Sequence, residues 1–139
     1  MKDVEKHINN LIFNTNQSLL VSGINSNDFS CKVVIPADIE NANLAIVGTT
    51  TPLWLIEVEL IAKKHEVALL VIDKIDTIDT HSQLKFLGLI KHKCLTGFKL
   101  PDNCRIIVTC NNLDNINSKI KSNCFVIKAD ELWKKQNNN

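Results

Sequence analysis

Apolar residues in this chain fall into short blocks separated by polar, glycine or proline stops, and the spacing inside the blocks is of two kinds. Val4, Ile8, Leu11 and Ile12 recur at i, i+4, i+7 and i+8, which predicts an amphipathic helix over residues 3–13. Ser18-Leu19-Leu20-Val21-Ser22 is a continuous run stopped by Gly23, and reads as a buried strand. Asn25 to Ser30 is polar and turn-like, and Lys32-Val33-Val34-Ile35-Pro36 is a second strand closed by proline. Leu44-Ala45-Ile46-Val47 reads as a strand or a core-facing loop. Pro52 stands where a helix start tolerates it, and the helix runs to about Lys64, with Leu53, Ile56 and Leu60 marking one face. Val67–Ile72 is a third strand, apolar on both faces, as in the centre of a covered parallel sheet. Asp79 or Thr80 caps a helix over residues 81–94, with Leu84, Leu87, Ile90 and Cys94 inward and Gly97 ending it. After the turn at Pro101-Asp102-Asn103 come a fourth strand at 104–109, a short helix at 116–120, a fifth strand at 124–127 and a helical turn at 130–135.

Strands alternate with helices, so the expected class is α/β with a mainly parallel sheet of five strands, covered on both sides as a three-layer sandwich. The 139 residues suffice for one domain, placed at 1–135, followed by a polar tail at 136–139 that frays. With 45% hydrophobic residues a core needs no disulfides or metal. The net charge of +1 gives no global field toward nucleic acid or membrane. Five cysteines without any C-x-x-C pair argue against zinc and against a disulfide scaffold; Cys104, Cys110 and Cys124 read as buried thiols. The charged N-terminus has no signal-peptide core behind it, and the apolar runs fall well short of the ~20 residues of a membrane helix. The expected compartment is the cytoplasm, with no membrane partner.

Two strands end in polar residues, and here the chain resembles a known family. Leu69-Leu70-Val71-Ile72-Asp73-Lys74-Ile75-Asp76 resembles a Walker B strand of AAA+ ATPases, P-loop NTPases in which that strand normally ends in Asp-Glu. The stretch from Gly97 through Leu100-Pro101-Asp102-Asn103 to Thr109-Cys110-Asn111 is similar to the approach to a sensor-1 asparagine in MoxR-like and phage-type members. Ala37-Asp38-Ile39-Glu40 and Thr51-Pro52-Leu53-Trp54-Leu55 are similar to segments between the second and third strands of that branch. Ile120-Lys121-Ser122-Asn123-Cys124 resembles the Ser-Arg-Cys segment of clamp loaders. The resemblance covers most of the chain, best over residues 67–127, and implies a P-loop NTPase/AAA+-like fold. The family's small C-terminal lid is not expected within these 139 residues.

The catalytic parts depart from that pattern. A P-loop wraps phosphate in backbone N–H groups, with a lysine for charge and a Ser or Thr for Mg²⁺. At the expected position the chain reads Gly23-Ile24-Asn25-Ser26-Asn27-Asp28-Phe29-Ser30. Gly23 and Ser30 keep the spacing, but Asp28 replaces the second glycine and Phe29 the lysine. Like charges at ~4 Å repel by about 1 kcal/mol in water, and by more when desolvated. The next strand begins near Lys32, so the phosphate-holding helix has no room. Gly48-Thr49-Thr50-Thr51-Pro52-Leu53-Trp54-Leu55 is no better a cradle. Lys74 stands where a glutamate should orient the attacking water, and Asn123 where clamp loaders carry an arginine finger. Asp73 could hold Mg²⁺ through water, although a strand-ending aspartate is the plainer reading; Asn111 is a relic sensor 1 or a buried amide.

Gly23, Ser30, Asp73 and Asn111 are thus the vestigial nucleotide-site positions, with no catalytic residue, no metal and no cofactor expected. Asp73, Asp76 and Asp79 lack the glycine and distal glutamate of a calcium loop. His7, His65, His81 and His92 stand apart. Lys85, Lys91, His92, Lys93 and Lys99 make one region basic enough to touch phosphate backbones, although a solvated helix face explains them as well. Trp54 reads as core, and Trp133 as a candidate partner contact. Three functions stay open: an inactive AAA+-like module binding a protein partner or itself, linked to DNA replication or to phage or mobile-element machinery; a weak ATP-binding subunit completing a neighbour's site; or a DNA-binding accessory using Lys85, Lys91, Lys93 and Lys99. The first is favoured.

Overall fold

The computed structural model describes residues 2–44, 51–95 and 98–129. Its elements are α1 (Lys2–Asn14), β1 (Ser18–Ser22), β2 (Lys32–Pro36), α2 (Asn41–Leu44), α3 (Leu53–Lys64), β3 (Ala68–Asp73), α4 (Leu87–His92), β4 (Cys94–Leu95), β5 (Phe98–Lys99), β6 (Cys104–Cys110), α5 (Ser118–Ser122) and β7 (Cys124–Lys128). Five strands form one sheet in the order β2-β3-β6-β1-β7, all parallel. β4 and β5 form a separate antiparallel hairpin.

The pleat divides the apolar residues into two cores. Leu19, Val21, Leu69, Val71 and Ile107 point to one face, where Ile8 and Ile12 of α1 cover them. Leu20, Leu70, Ile72, Ile106 and Val108 point to the other, under Trp54, Leu55 and Val58 of α3, Phe86, Leu89, Ile90 and Ile120. Alternation of this kind follows from the two-residue period of a strand, and burial of both faces explains why the strands carry apolar runs. The architecture is the three-layer α/β sandwich expected from the sequence.

The layers are unequal because the link from β1 to β2 is short. Gly23 to Cys31 must cross β6 and β3 and return along the strand direction. That displacement is about 20 Å, from three strand spacings of ~4.8 Å and a strand of about five residues. Nine residues of helix span only about 13 Å. The link is therefore mostly an extended strap, with one 3-10 turn at Ser26–Asp28. Asn25 closes that turn by a reciprocal capping box: its side chain accepts from Asn27 N at 3.0 Å, and its N–H donates to Asp28 Oδ2 at 3.2 Å. Phe29 is buried in the core under α1, which pins the strap to the sheet. The strap passes leftward over the α1 face, while the three rightward crossovers pass over the opposite face. All four therefore share one hand, as parallel crossovers require.

Three expectations are corrected. The core face of α3 is Trp54, Leu55 and Val58, not Leu53, Ile56 and Leu60, which are exposed. The helix expected over residues 81–94 is a 3-10 turn at Ser82–Phe86 followed by α4. It ends at His92 because Lys93 takes the left-handed conformation (φ 54°) and closes the helix onto Leu89 O. Cys94, expected on the inward face of that helix, instead begins β4 of the β4–β5 hairpin. Ala45–Val47, Gly97, Trp133 and the turn expected at 130–135 lie outside the described residues. Trp54 is in the core as expected, with its indole N–H donating to Asn43 O at 2.8 Å. No helix among the described residues is long and apolar enough to cross a membrane.

Candidate functional site

A cleft of about 280 Å³ opens at the carboxyl ends of β1, β3 and β6, lined by Gly23, Ile24, Asn25, Asp73, Lys74, Thr109, Cys110 and Asn111. It sits where the chain leaves β1 in one direction and β6 in the other, the switch point at which open α/β sheets bind ligands. Gly23 is in the left-handed region (φ 78°) and donates to Cys110 O at 3.2 Å, which turns the strap off the end of β1. Three of the four vestigial positions, Gly23, Asp73 and Asn111, are therefore brought together.

Ser30 is not brought there. It lies exposed at the far end of the strap, one residue before Cys31, whose carbonyl accepts from Leu69 N near the start of β3. The strand length separates it from Asp73 by roughly 16 Å. A serine for Mg²⁺ must stand beside the phosphate cradle, and here the strap carries it to the opposite edge of the sheet.

Around the cleft the polar groups are tied to one another. Thr109 Oγ1 donates to Asp73 Oδ1 at 2.7 Å and accepts from Lys74 N at 2.9 Å. Lys74 is left-handed (φ 56°, ψ 53°), so its backbone turns out of the strand line immediately after Asp73. Asp76 Oδ2 accepts from Asn111 N at 3.0 Å and Asn112 N at 2.8 Å, latching the loop after β6 to the turn after β3. Its Oδ1 is buried without a partner among the described residues. Gln83, fully buried, donates from Nε2 to Asn115 O at 2.7 Å and Ile78 O at 3.2 Å, and accepts from Asn117 N at 2.8 Å. Asn117 caps α5 through Lys119 N and donates to Thr80 O. In the sequence Asp76 is weighed only as one of three clustered aspartates, and neither Thr109 nor Gln83 is singled out. The available signals were a hydroxyl inside an apolar strand and an amide on an otherwise inward-facing turn.

The three aspartates do not converge. Asp73 turns to Thr109 and Asp76 to the loop after β6. Asp79 accepts from Ser82 N and Ser82 Oγ, which lowers its pKa from the ordinary carboxylate value. Among the described residues no group of three His, Cys, Asp or Glu side chains is placed to hold a metal ion. Asn123 donates to Lys119 O at 2.7 Å and so closes α5.

The basic residues also separate. Lys85 donates to Ile39 O at 2.6 Å and stands 5.2 Å from the Phe86 ring centre, at the carboxyl edge of the sheet. Lys91 and His92 stand in the last turn of α4 and Lys93 caps it, at the opposite edge, beside Asn16, Gln17 and Ser18. Lys93 is half-buried; burial, then the Arg105 guanidinium, lowers its pKa. Lys99 pairs with Asp102 at 3.5 Å. Cys104 and Cys124 are buried thiols, pushed up by desolvation to about 11 and about 12.

No protein-family model matches the sequence, and no curated protein is found similar to it. The fold is similar to the crystal structure of a DNA polymerase III gamma subunit-related protein from Thermotoga maritima, with a TM-score of 0.52 and 12% identity. That likeness covers 89% of this chain and 45% of the other, so the chain spans less than half the length of its structural neighbour. At this identity the likeness concerns the fold alone, a parallel α/β sheet covered by helices.

Proposed function

We propose that this chain is a nucleotide-independent AAA+-like module that acts by binding protein, as a structural or regulatory subunit of replication-type machinery. The strap carries this reading. Catalysis by the family needs a helix whose first turn points N–H groups at phosphate, and residues 23–31 cross the sheet without forming one. Asp28 adds negative charge to the same link, Lys74 replaces the water-orienting carboxylate, and Asn123 replaces the finger. Each such loss typically lowers the rate by orders of magnitude. The replication link rests on the neighbour's description alone.

The ATP-binding alternative draws on the convergence of Gly23, Asp73, Lys74 and Asn111 on one cleft. The DNA-binding alternative is weakened by the division of its lysines between two edges of the sheet. Calorimetric titration with Mg-ATP separates the first two. The protein-binding reading expects no heat of binding, whereas affinity tighter than ~100 µM, about 5.5 kcal/mol, replaces it with the ATP-binding one.

A further inference from the structure

Helix α3 is apolar on two faces, and the sheet uses only one of them. Trp54, Leu55 and Val58 pack into the core, while Leu53 is 69% exposed, Ile56 44% and Leu60 51%. At 100° per residue these three fall within about 60° of one another, so they form a single outward stripe. Glu57 and Lys64 lie exposed along one flank of the stripe and Lys63 along the other. Neither Glu57 nor Lys64 has an ion-pair partner among the described residues.

We propose that this outer face of α3 is a self-association surface, occupied by the same face of a second copy of the chain in antiparallel register about a two-fold axis beside Leu60. The proposal rests on the protein-binding reading above and names its partner. Antiparallel two-fold packing brings like flanks together. Leu60 then meets Leu60 of the second copy, and each Glu57 stands opposite the other copy's Lys64, giving two ion pairs. On the other flank the Lys63 stem covers Ile56 of the second copy. The charge pattern is thus complementary to itself, which favours a second copy over an unrelated partner. An interface one helix wide is small, so association in the micromolar range is expected.

Sedimentation velocity of the full chain between about 5 and about 200 µM tests this. A concentration-dependent dimer is expected, and Leu60→Glu should leave only monomer. Glu57→Lys alone and Lys64→Glu alone should each weaken the dimer by about tenfold, and the double reversal should restore it. Far-UV circular dichroism of each variant checks that the fold is intact, as substitution of outward side chains should leave it. A monomer across the whole range, a dimer unmoved by Leu60→Glu, or a double reversal no better than the singles overturns the proposal. A dimer unmoved by Leu60→Glu would leave the protein-binding reading standing. Tight Mg-ATP binding would remove that reading whatever the mass.

Discussion

Thr109 and Asp73 stand on adjacent parallel strands and are joined by a 2.7 Å hydrogen bond from the threonine hydroxyl to Asp73 Oδ1. The same hydroxyl accepts from Lys74 N, so one side chain fixes both the last carboxylate of β3 and the backbone turn after it. The Asp73 oxygen nearest β6 is thereby engaged within the chain.

Thr109→Val preserves shape and deletes both bonds. Thr109 is buried, so Asp73 Oδ1 and Lys74 N lose a partner that water replaces poorly. The variant should lose about 1–3 kcal/mol of stability, read as a lower urea midpoint at unchanged slope.

Gln83→Leu should cost more. Its amide satisfies two carbonyls and one N–H from the segments that follow β3 and β6. Leucine fills the space and leaves all three unpaired in a dry site, at a cost of about 2–4 kcal/mol. Hydrogen exchange should show the Asn117 amide losing protection before those of β6.

The buried thiols set an alkaline limit. Cys104 and Cys124 have folded pKa values of about 11 and about 12, against an ordinary value of 9.0. Between these values the unfolded chain gives up thiol protons that the folded one retains, so stability is full below pH 9 and falls as pH rises toward 11 and 12. The double variant Cys104→Ala, Cys124→Ala should show a shallower fall in melting temperature over that window than the parent does.

The strands of the parallel sheet were legible as apolar runs with clear stops, such as Gly23 after β1, Pro36 ending β2 and Asp73 ending β3. The facing of α3 was not. Periodicity identifies a stripe only when the opposite face is polar, and here Leu53-Ile56-Leu60 competes with Trp54-Leu55-Val58. The stop at Lys93 was hidden because a lysine holds the left-handed position that glycine usually marks. Gly23, Asp73 and Asn111 could be placed together because strand ends in a parallel sheet share an edge. Ser30 could not be placed correctly by motif spacing, which assumes a helix after Gly23; the strap instead moves the serine a strand length away.

Supplying the Asp-Glu pair of an AAA+ Walker B strand tests the proposal that this chain works without nucleotide. Lys74→Glu places a carboxylate directly after Asp73, as in an active Walker B strand. The substitution tolerates the local backbone no better than lysine does, since both are strained by the left-handed geometry at φ 56°. It also removes a cation from the cleft and leaves two carboxylates beside Asp28's link, so any triphosphate is held less well. Hydrolysis needs bound phosphate before it needs a base to orient water. The expected result is therefore phosphate release at the buffer rate in both the parent and Lys74→Glu. Turnover appearing in the variant would mean that the strap between β1 and β2 does hold the nucleotide, and that the missing carboxylate was the principal defect.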